Sequence, residues 1–328
     1  MYQEALRKVE AEYTLLREEN SATDLEREIA VRARVPEIGR LMDQRKDLIF
    51  RSFRSFFSGE QATGQVSIPE ETERLSREIR RLLRVSGYPE DYLQPVCHCQ
   101  VCQDRGYVGE PIREMCSCMK NRLYRMIYEE SGIGPNPPSF ETFDEKVFPD
   151  DIVPELKISQ RMEMVTLRDQ LQNWAQKWPD TEKSGGVVLS GASGLGKTFL
   201  IHCMARELLD RGKSVSVLTA YRALDILRES YFQGHAEDQD LLFEPDVLFL
   251  DDLGTEPLLN NVTITQLFNL LNERERMSSK KKKAFVVSTN YSQSGLRERY
   301  TERLTSRLLD SRNVLIFALR GADVRKRG

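Results

Sequence analysis

The sequence predicts an α/β domain built on a five-stranded parallel sheet, preceded by an α-helical region and a small four-cysteine segment. Three observations carry this. Five apolar runs, near 187–190, 215–219, 247–251, 284–289 and 314–318, alternate with helical patterns. A glycine-rich turn follows the first run and opens a helix. Upstream, a long Glu-, Arg- and Leu-rich region precedes a cluster of five of the six cysteines, between Cys97 and Cys118. Near-continuous apolar runs are what strands need when helices cover both sheet faces.

The turn after the first run is Gly191-Ala192-Ser193-Gly194-Leu195-Gly196-Lys197-Thr198, which fits G-x-x-x-x-G-K-[ST]. Gly191, Gly194 and Gly196 let the backbone turn tightly and aim several N–H groups into one concavity suited to phosphate oxygens. The helix starting near Lys197 brings its positive dipole end to the same place. Lys197 can reach β- and γ-phosphates, and the Thr198 hydroxyl can ligate Mg²⁺. The apolar strand before the turn, and Phe199, Leu200, Cys203, Met204 and Leu208 after it, supply the strand–turn–helix context the motif needs.

Two further strands end in polar residues. Asp246-Val-Leu-Phe-Leu-Asp251-Asp252 carries four apolar residues to a carboxylate pair at the strand's end, where ligands sit in open α/β sheets. Asp251 can hold Mg²⁺ through its waters, and Asp252 is placed to polarise an attacking water. Ala284-Phe-Val-Val-Ser-Thr289-Asn290 ends in an amide that can bond the γ-phosphate or the water. A helix then carries Arg303 and Arg307. Arg307 cannot easily reach the phosphate turn of its own compact domain, but it can reach a neighbouring subunit's site and offset transition-state charge. Arg303 reads as a solvated helix residue. Lys280–Lys283 reads as a solvated turn before a strand, with phosphate binding as the alternative.

Residues 1–88 read as a helical region. Leu6, Val9, Tyr13 and Leu16 form a helical stripe, Ser21–Asp24 resembles a capping box opening a second helix, and Pro36 and Pro69 open further helices, with a loop expected at Gly59–Gly64. Phe50, Phe53, Phe56 and Phe57 are expected in the core of a small bundle. In residues 89–131, Cys99-x2-Cys102 and Cys116-x-Cys118 form two close ligand pairs, and four thiolates suit a closed, structural, tetrahedral zinc. Asp104 and Gly106 fit the intervening turn. Cys97 or His98 can replace Cys99, and an iron–sulfur cluster is the other four-cysteine option. Lys120–Glu130 reads as a helix packing Leu123, Ile127 and Tyr128. Gly132–Pro138 marks a boundary within a linker, 132–150, ahead of the α/β domain at 151–328, whose leading helix is expected over Leu156–Trp178 with Trp174 and Trp178 packed.

The totals set limits. The chain has 328 residues, 40% hydrophobic and 30% charged, with a net charge of −3, so binding to nucleic acid or membrane would need local patches. No apolar run approaches the roughly 18–20 residues of a membrane span. The N-terminus lacks the apolar core of a secretion signal, so a cytoplasmic location is expected. Clustered cysteines there point to metal before disulfide.

Taken together, Gly191–Thr198, Asp251-Asp252-Leu-Gly254, Ser288-Thr-Asn290 and Arg303-Leu-Thr-Ser-Arg307 resemble the AAA+ ATPases of the DnaC/DnaI helicase-loader group, and the cysteine segment and helical arm extend the resemblance over nearly the whole chain. The resemblance implies a slow, assembly-stimulated ATPase using ATP, Mg²⁺ and Zn²⁺. It implies that the N-terminal region binds a DnaB-type replicative helicase hexamer, that the AAA+ domains self-associate, and that they bind single-stranded DNA. By position, the whole turn Gly191–Thr198 binds ATP, Asp251 and Asp252 are the Walker B carboxylates, Asn290 is sensor 1, and Arg307 is the trans finger. Two departures stand out. Few residues follow Leu319, so the C-terminal helical lid of many AAA+ proteins is expected to be absent, with Arg325 of Gly321-Ala-Asp-Val-Arg325 as a sensor-2-like arginine. Asp252 also stands where strong hydrolases carry Glu, which implies a switch-like enzyme. Loaders are expected to contact single strands on the helix bearing Tyr221, Arg222, Tyr231 and Phe232; core packing is the other reading. The alternative function is an IstB-type ATPase helper of a transposase, which shares the motor. A sequence-specific initiator is disfavoured because nothing after residue 319 reads as a helix-turn-helix.

Overall fold

The computed structural model describes residues 2–58, 68–131, 137–153, 157–233, 238–258 and 262–327. Contacts divide the chain into two compact units, Glu10–Glu114 and Met1–Val9 with Met115–Gly328.

Helix α1 runs unbroken from Tyr2 to Arg34, so no second helix opens at Ser21. The polar groups expected to cap one are engaged otherwise. Thr23 Oγ1 donates to the Glu19 carbonyl (3.0 Å), and Asp24 accepts the Val96 N–H (3.0 Å). With neither Pro nor Gly between residues 2 and 34 to stop it, the helix continues. Pro36 then opens α2 (Pro36–Ser58), and α3 (Ile68–Val85) begins one residue before Pro69. Val31, Ile38, Ile79 and Leu83 form the core where these helices meet, flanked by Leu41, Tyr88 and Tyr92. Phe50 is not in that core: it is 61% exposed. The side chains of Phe53, Phe56 and Phe57, and the loop expected at Gly59–Gly64, lie outside the described residues.

Two short strands, β1 (Tyr107–Val108) and β2 (Glu114–Met115), pair within the cysteine segment. Helix α4 (Ser117–Glu130) starts one residue after Cys116, earlier than Lys120, and buries Leu123, Tyr124, Ile127 and Tyr128. Its Lys120 pairs with Glu244 at 3.0 Å. Pro137–Pro138 of the expected linker are described and residues 132–136 are not. Two 3-10 turns follow, Phe140–Thr142 and Glu145–Val147. Strands β3 (Ile152–Val153) and β4 (Ile158–Ser159) pair antiparallel, and Ser159 then caps α5 (Gln160–Lys177) by accepting the Met162 N–H. The helix thus starts at Gln160 rather than Leu156. Trp174 and Trp178 are buried as expected, with their indole N–H groups on the carbonyls of Lys183 and Ser184.

The remaining elements are β5 (Gly186–Ser190), α6 (Lys197–Asp210), β6 (Val215–Thr219), α7 (Ala220–Gln233), α8 (Asp240–Phe243), β7 (Val247–Leu253), α9 (Val262–Met277), β8 (Ala284–Thr289), α10 (Gln293–Arg299), α11 (Glu302–Leu308) and β9 (Val314–Ala318). The five long strands form one parallel sheet in the order β6-β7-β8-β5-β9. β5 is buried along its whole length, as a strand covered on both faces must be. β8 therefore lies between the strand that precedes the glycine turn and the strand that ends in Asp251. All three deliver their C-terminal ends to one sheet edge.

The opposite edge is closed by two buried cations. Arg274 donates to the carbonyls of Leu242 (2.8 Å), Pro245 (3.2 Å) and Ala284 (2.7 Å), and Lys283 donates to those of Phe243 (3.0 Å) and Glu244 (2.6 Å). Lys283 is thus a structural donor at the start of β8, not a solvated residue, and it stands at the end of the sheet away from the glycine turn. Burial depresses its ammonium to about 8.

Candidate functional site

The glycine turn has the backbone its sequence demands. Gly194 and Gly196 have φ of 80° and 85°, in the left-handed region. At Gly191, a Cβ would lie 2.5 Å from the Leu319 carbonyl oxygen. Gly196 is the N-cap of α6, so the turn ends on the unsatisfied N–H groups of a helix start.

Lys197 is the hub. Its buried ammonium donates to the Gly191 and Ala192 carbonyls, both at 2.8 Å, and to Asn290 Oδ1 at 2.9 Å. Burial pulls its pKa down, against the Asp252 and Asp251 charges, which hold it up. Thr198 Oγ1 donates to Asp251 Oδ2 at 2.9 Å, and Ser288 donates to the other carboxylate oxygen. Thr198 and Asp251 thus stand side by side, a hydroxyl that can ligate Mg²⁺ and a carboxylate that can hold the ion's waters. The residues present fit that ion.

A bulge aims the carboxylates. Leu250 pairs with Val287 and Leu253 with Thr289, so β7 fits two residues, Asp251 and Asp252, where β8 has one. Asp252 takes a left-handed φ of 56°, and its N–H donates to Ser288 Oγ at 2.9 Å. Burial, then the neighbouring Asp251, push its carboxyl up, against Lys197 and Arg325. The following turn is tied by Glu256, a buried carboxylate that accepts the Gly254 N–H (2.7 Å) and the Tyr300 hydroxyl. Chemically, the arrangement can hold a cation beside phosphate oxygens and sets a half-buried carboxylate with a raised pKa next to that place.

Of the remaining residues singled out in the sequence, Arg325 also arrives here. Its Nη2 donates to Ser193 Oγ at 2.8 Å. Arg307 does not. It pairs with Glu275 and donates to Asn272 (3.3 Å), beside Gly185 and Asn313 at the N-terminal ends of β5 and β9. The five residues of β5 put roughly 17 Å between the two sheet edges. Arg303 covers the Phe268 ring at 4.8 Å. On α7, Tyr221 is 54% exposed beside a cavity of about 140 Å³ lined by Leu224, Pro257 and Val262. Arg222 lies among Asp225 (2.9 Å), Asp238 (3.3 Å) and Glu229 (3.9 Å), so its charge is already matched. The side chains of Tyr231 and Phe232 lie outside the described residues.

The sequence reading missed four contributors. Ser288 orients Asp251, Glu256 ties the following turn, and Gln160 meets the segment after β9. The fourth is a cavity of about 210 Å³ beside Gly196, lined by Phe143, Val147, Phe148, Met164, Phe199 and Val324. Phe143 stacks on Phe148 and tilts against Phe199. The phenylalanines that follow the proline-rich stretch were the available signal for it.

In the cysteine segment, the sulfurs of Cys99, Cys102, Cys116 and Cys118 all lie within 4.8 Å of one another. Four thiolates at 2.3 Å from a tetrahedral zinc would be about 3.8 Å apart, so this donor set fits zinc. Neither Cys97 nor His98 is in the cluster; the His98 ring is mostly exposed, near Asp104. Buried Asp104, at a left-handed φ of 56°, accepts the N–H groups of His98 and Cys99, both at 2.8 Å, and the Asn20 amide at 2.9 Å.

Residues 170–315 match the family model described as IstB-like ATP binding protein. The replicative helicase loader DnaC of Escherichia coli (strain K12) is 28% identical over 128 residues, 38% of this chain and 48% of DnaC. The replicative helicase loader DnaI of Bacillus subtilis (strain 168) is 27% identical over 130 residues, 39% of this chain and 40% of DnaI. The chain therefore spans about half the length, or less, of the curated relatives it matches. The crystal structure of the DnaC helicase loader superposes with a TM-score of 0.40 at 18% identity, over 55% of this chain and 96% of that one. Among the described residues no helix is long and apolar enough to cross a membrane. The resemblance to the DnaC/DnaI-type AAA+ loaders drawn from the motifs thus stands on the family model and these curated relatives, and the motor region carries it.

Proposed function

We propose that this chain is an ATP-dependent loader of a replicative DNA helicase, acting in the cytoplasm. The observation that carries the proposal is the joining of three strand ends. Lys197 bonds Asn290 and Thr198 bonds Asp251, so the glycine turn, the carboxylate pair and the tip of β8 form one site. In this reading Gly191–Thr198 hold the triphosphate, and the aromatic cavity beside Gly196 takes the base. Thr198 and Asp251 hold Mg²⁺, which supplies charge neutralisation on the phosphates. Asp252 orients and polarises the attacking water, and Asn290 holds that water or the γ-phosphate. Arg307 faces away from its own site and serves a neighbouring subunit, which makes turnover depend on self-association. The Glu275 pair would have to open for it to do so.

The four cysteines hold zinc as a structural ion, supplying folding energy and offering no open coordination position. The helical region and cysteine segment ahead of the motor favour the loader over the transposase helper, and helicase docking is assigned to that region. Single-stranded DNA is assigned to the Tyr221 surface, where an exposed ring offers a stacking platform. The IstB-type reading keeps its support in the family model that matches the motor.

The functional test uses circular single-stranded DNA and a DnaB-type hexamer. The full chain with ATP should place the helicase on the circle, and Lys197→Ala should abolish placement. If the chain leaves helicase placement unchanged but stimulates strand transfer by a transposase, the alternative takes its place.

A further inference from the structure

The segment Leu319–Arg325 lies across the proposed nucleotide site, and its contacts run from one end of that site to the other. The Leu319 N–H donates to the Ser190 carbonyl at 2.7 Å, extending the β9–β5 pairing into the glycine turn. The Val324 N–H donates to the Gly194 carbonyl at 3.0 Å, and the Val324 side chain is part of the wall of the aromatic cavity. Arg325 reaches Ser193, and its N–H (3.0 Å) and Nε (3.2 Å) both donate to Asp323 Oδ1, which fixes the guanidinium's direction.

One side chain holds the middle of this segment. Gln160, 1% exposed, uses both ends of its amide on a single residue. Nε2 donates to the Ala322 carbonyl at 3.1 Å, and Oε1 accepts the Ala322 N–H at 2.9 Å. Gly321 packs flat on that amide. Its φ is 126°, and a Cβ there would fall 2.2 Å from the Gln160 side-chain carbon. Gln160 opens α5, and one turn later on the same face comes Met164, which lines the aromatic cavity.

We infer that Gln160 is a positioning residue for the nucleotide site, holding the segment Leu319–Arg325 as a strap that sets Arg325 at the phosphates and Val324 at the base. This rests on the reading of Gly191–Thr198 as a triphosphate site. It gives Gln160 a role in nucleotide discrimination without contact to the nucleotide: with the strap released, the guanidinium is no longer aimed at the γ-phosphate.

The test is calorimetric titration of the full chain with Mg·ATP and Mg·ADP. Four variants are compared with wild type: Gln160→Met, which keeps the volume and removes both hydrogen bonds; Gly321→Ala, which pushes the strap off from the other side; Arg325→Ala; and Lys197→Ala. Gln160→Met and Gly321→Ala should each weaken ATP binding about tenfold, the size expected for loss of one hydrogen bond to a charged group. Both should reduce the preference for ATP over ADP to that of Arg325→Ala, and Gln160→Met combined with Arg325→Ala should reduce it no further. Melting temperatures without nucleotide identify any variant that fails to fold, and the other then decides. A folded Gln160→Met or Gly321→Ala protein with wild-type ATP preference overturns the inference. If Lys197→Ala binds ATP as tightly as wild type, the triphosphate reading itself falls, and the strap with it.

Discussion

Thr198 donates its hydroxyl to Asp251 across 2.9 Å, joining the first turn of α6 to the end of β7, although β8 separates the strands that carry them. The bond exists because of the bulge in β7, which turns two consecutive carboxylates toward the glycine turn. It also gives the two carboxylates separate tasks, since Asp251 is engaged on both oxygens while the Asp252 carboxyl is pushed up by burial. Asp251→Asn and Asp252→Asn should therefore differ. Asp252→Asn should keep Mg·ATP affinity within a few-fold and lower hydrolysis by at least 10²-fold, the usual contribution of a positioned acid–base group. Asp251→Asn should weaken the Mg²⁺ dependence of ATP binding itself. Binding titrations with and without Mg²⁺, beside single-turnover hydrolysis, separate the two.

The buried Lys197 ammonium donates to three acceptors. Replacing it with Ala removes a charge that burial already penalises, so the fold should persist. ATP affinity should fall on the order of 100-fold, from the loss of charge-assisted bonds to phosphate. Retained affinity would remove the premise of the site.

Arg307→Ala should leave ATP affinity of the isolated chain unchanged and lower turnover of the assembled state by about 10³-fold or more. Hydrolysis measured against protein concentration checks this. Wild-type turnover at high concentration in the variant would refute a role in trans.

Lys283 sets a pH dependence whose sign follows from its burial. Its folded-state pKa of about 8 lies below the ordinary 10.5. Between those values the unfolded chain binds more protons at this residue than the folded one, so its contribution to stability rises with pH across that window. Lys283→Met should be less stable, by about 1–3 kcal/mol for the carbonyls it leaves unmet. The gap between wild type and variant should widen from pH 8 toward pH 10. Urea midpoints at a series of pH values give the comparison, and a constant gap would contradict it.

Purified chain should carry about one zinc, and Cys102→Ser should lose it. Metal analysis decides this: iron in place of zinc selects the cluster alternative, and metal-free folded protein rejects the site. On the DNA surface, Tyr221→Ala should weaken single-strand binding by roughly tenfold. Arg222→Ala should leave its salt dependence unchanged, because three carboxylates already match that charge.

Legibility in the sequence followed the physics of each element. The five strands were readable because Val187–Leu189 and Val247–Leu250 are apolar without interruption, and the glycine turn because Gly194 and Gly196 need positive φ. What stayed hidden depends on pairing rather than pattern. The bulge exists only in the register of β7 against β8. Ser288 looks like any strand serine until it stands between Asp251 and the Asp252 N–H. Gln160 reads as an ordinary helix residue because its partner, Ala322, lies at the other end of the motor. The continuity of α1 was hidden because Ser21–Asp24 resembles a cap locally, whereas Asp24 bonds Val96, far along the chain.

The central claim is a nucleotide-dependent complex with a replicative helicase, and the direct measurement is the native mass of the full chain mixed with a DnaB-type hexamer, with ATP and without. The loader account predicts a stoichiometric complex whose composition changes with ATP. Absence of a complex in every nucleotide condition, from chain that binds ATP and zinc, would contradict it.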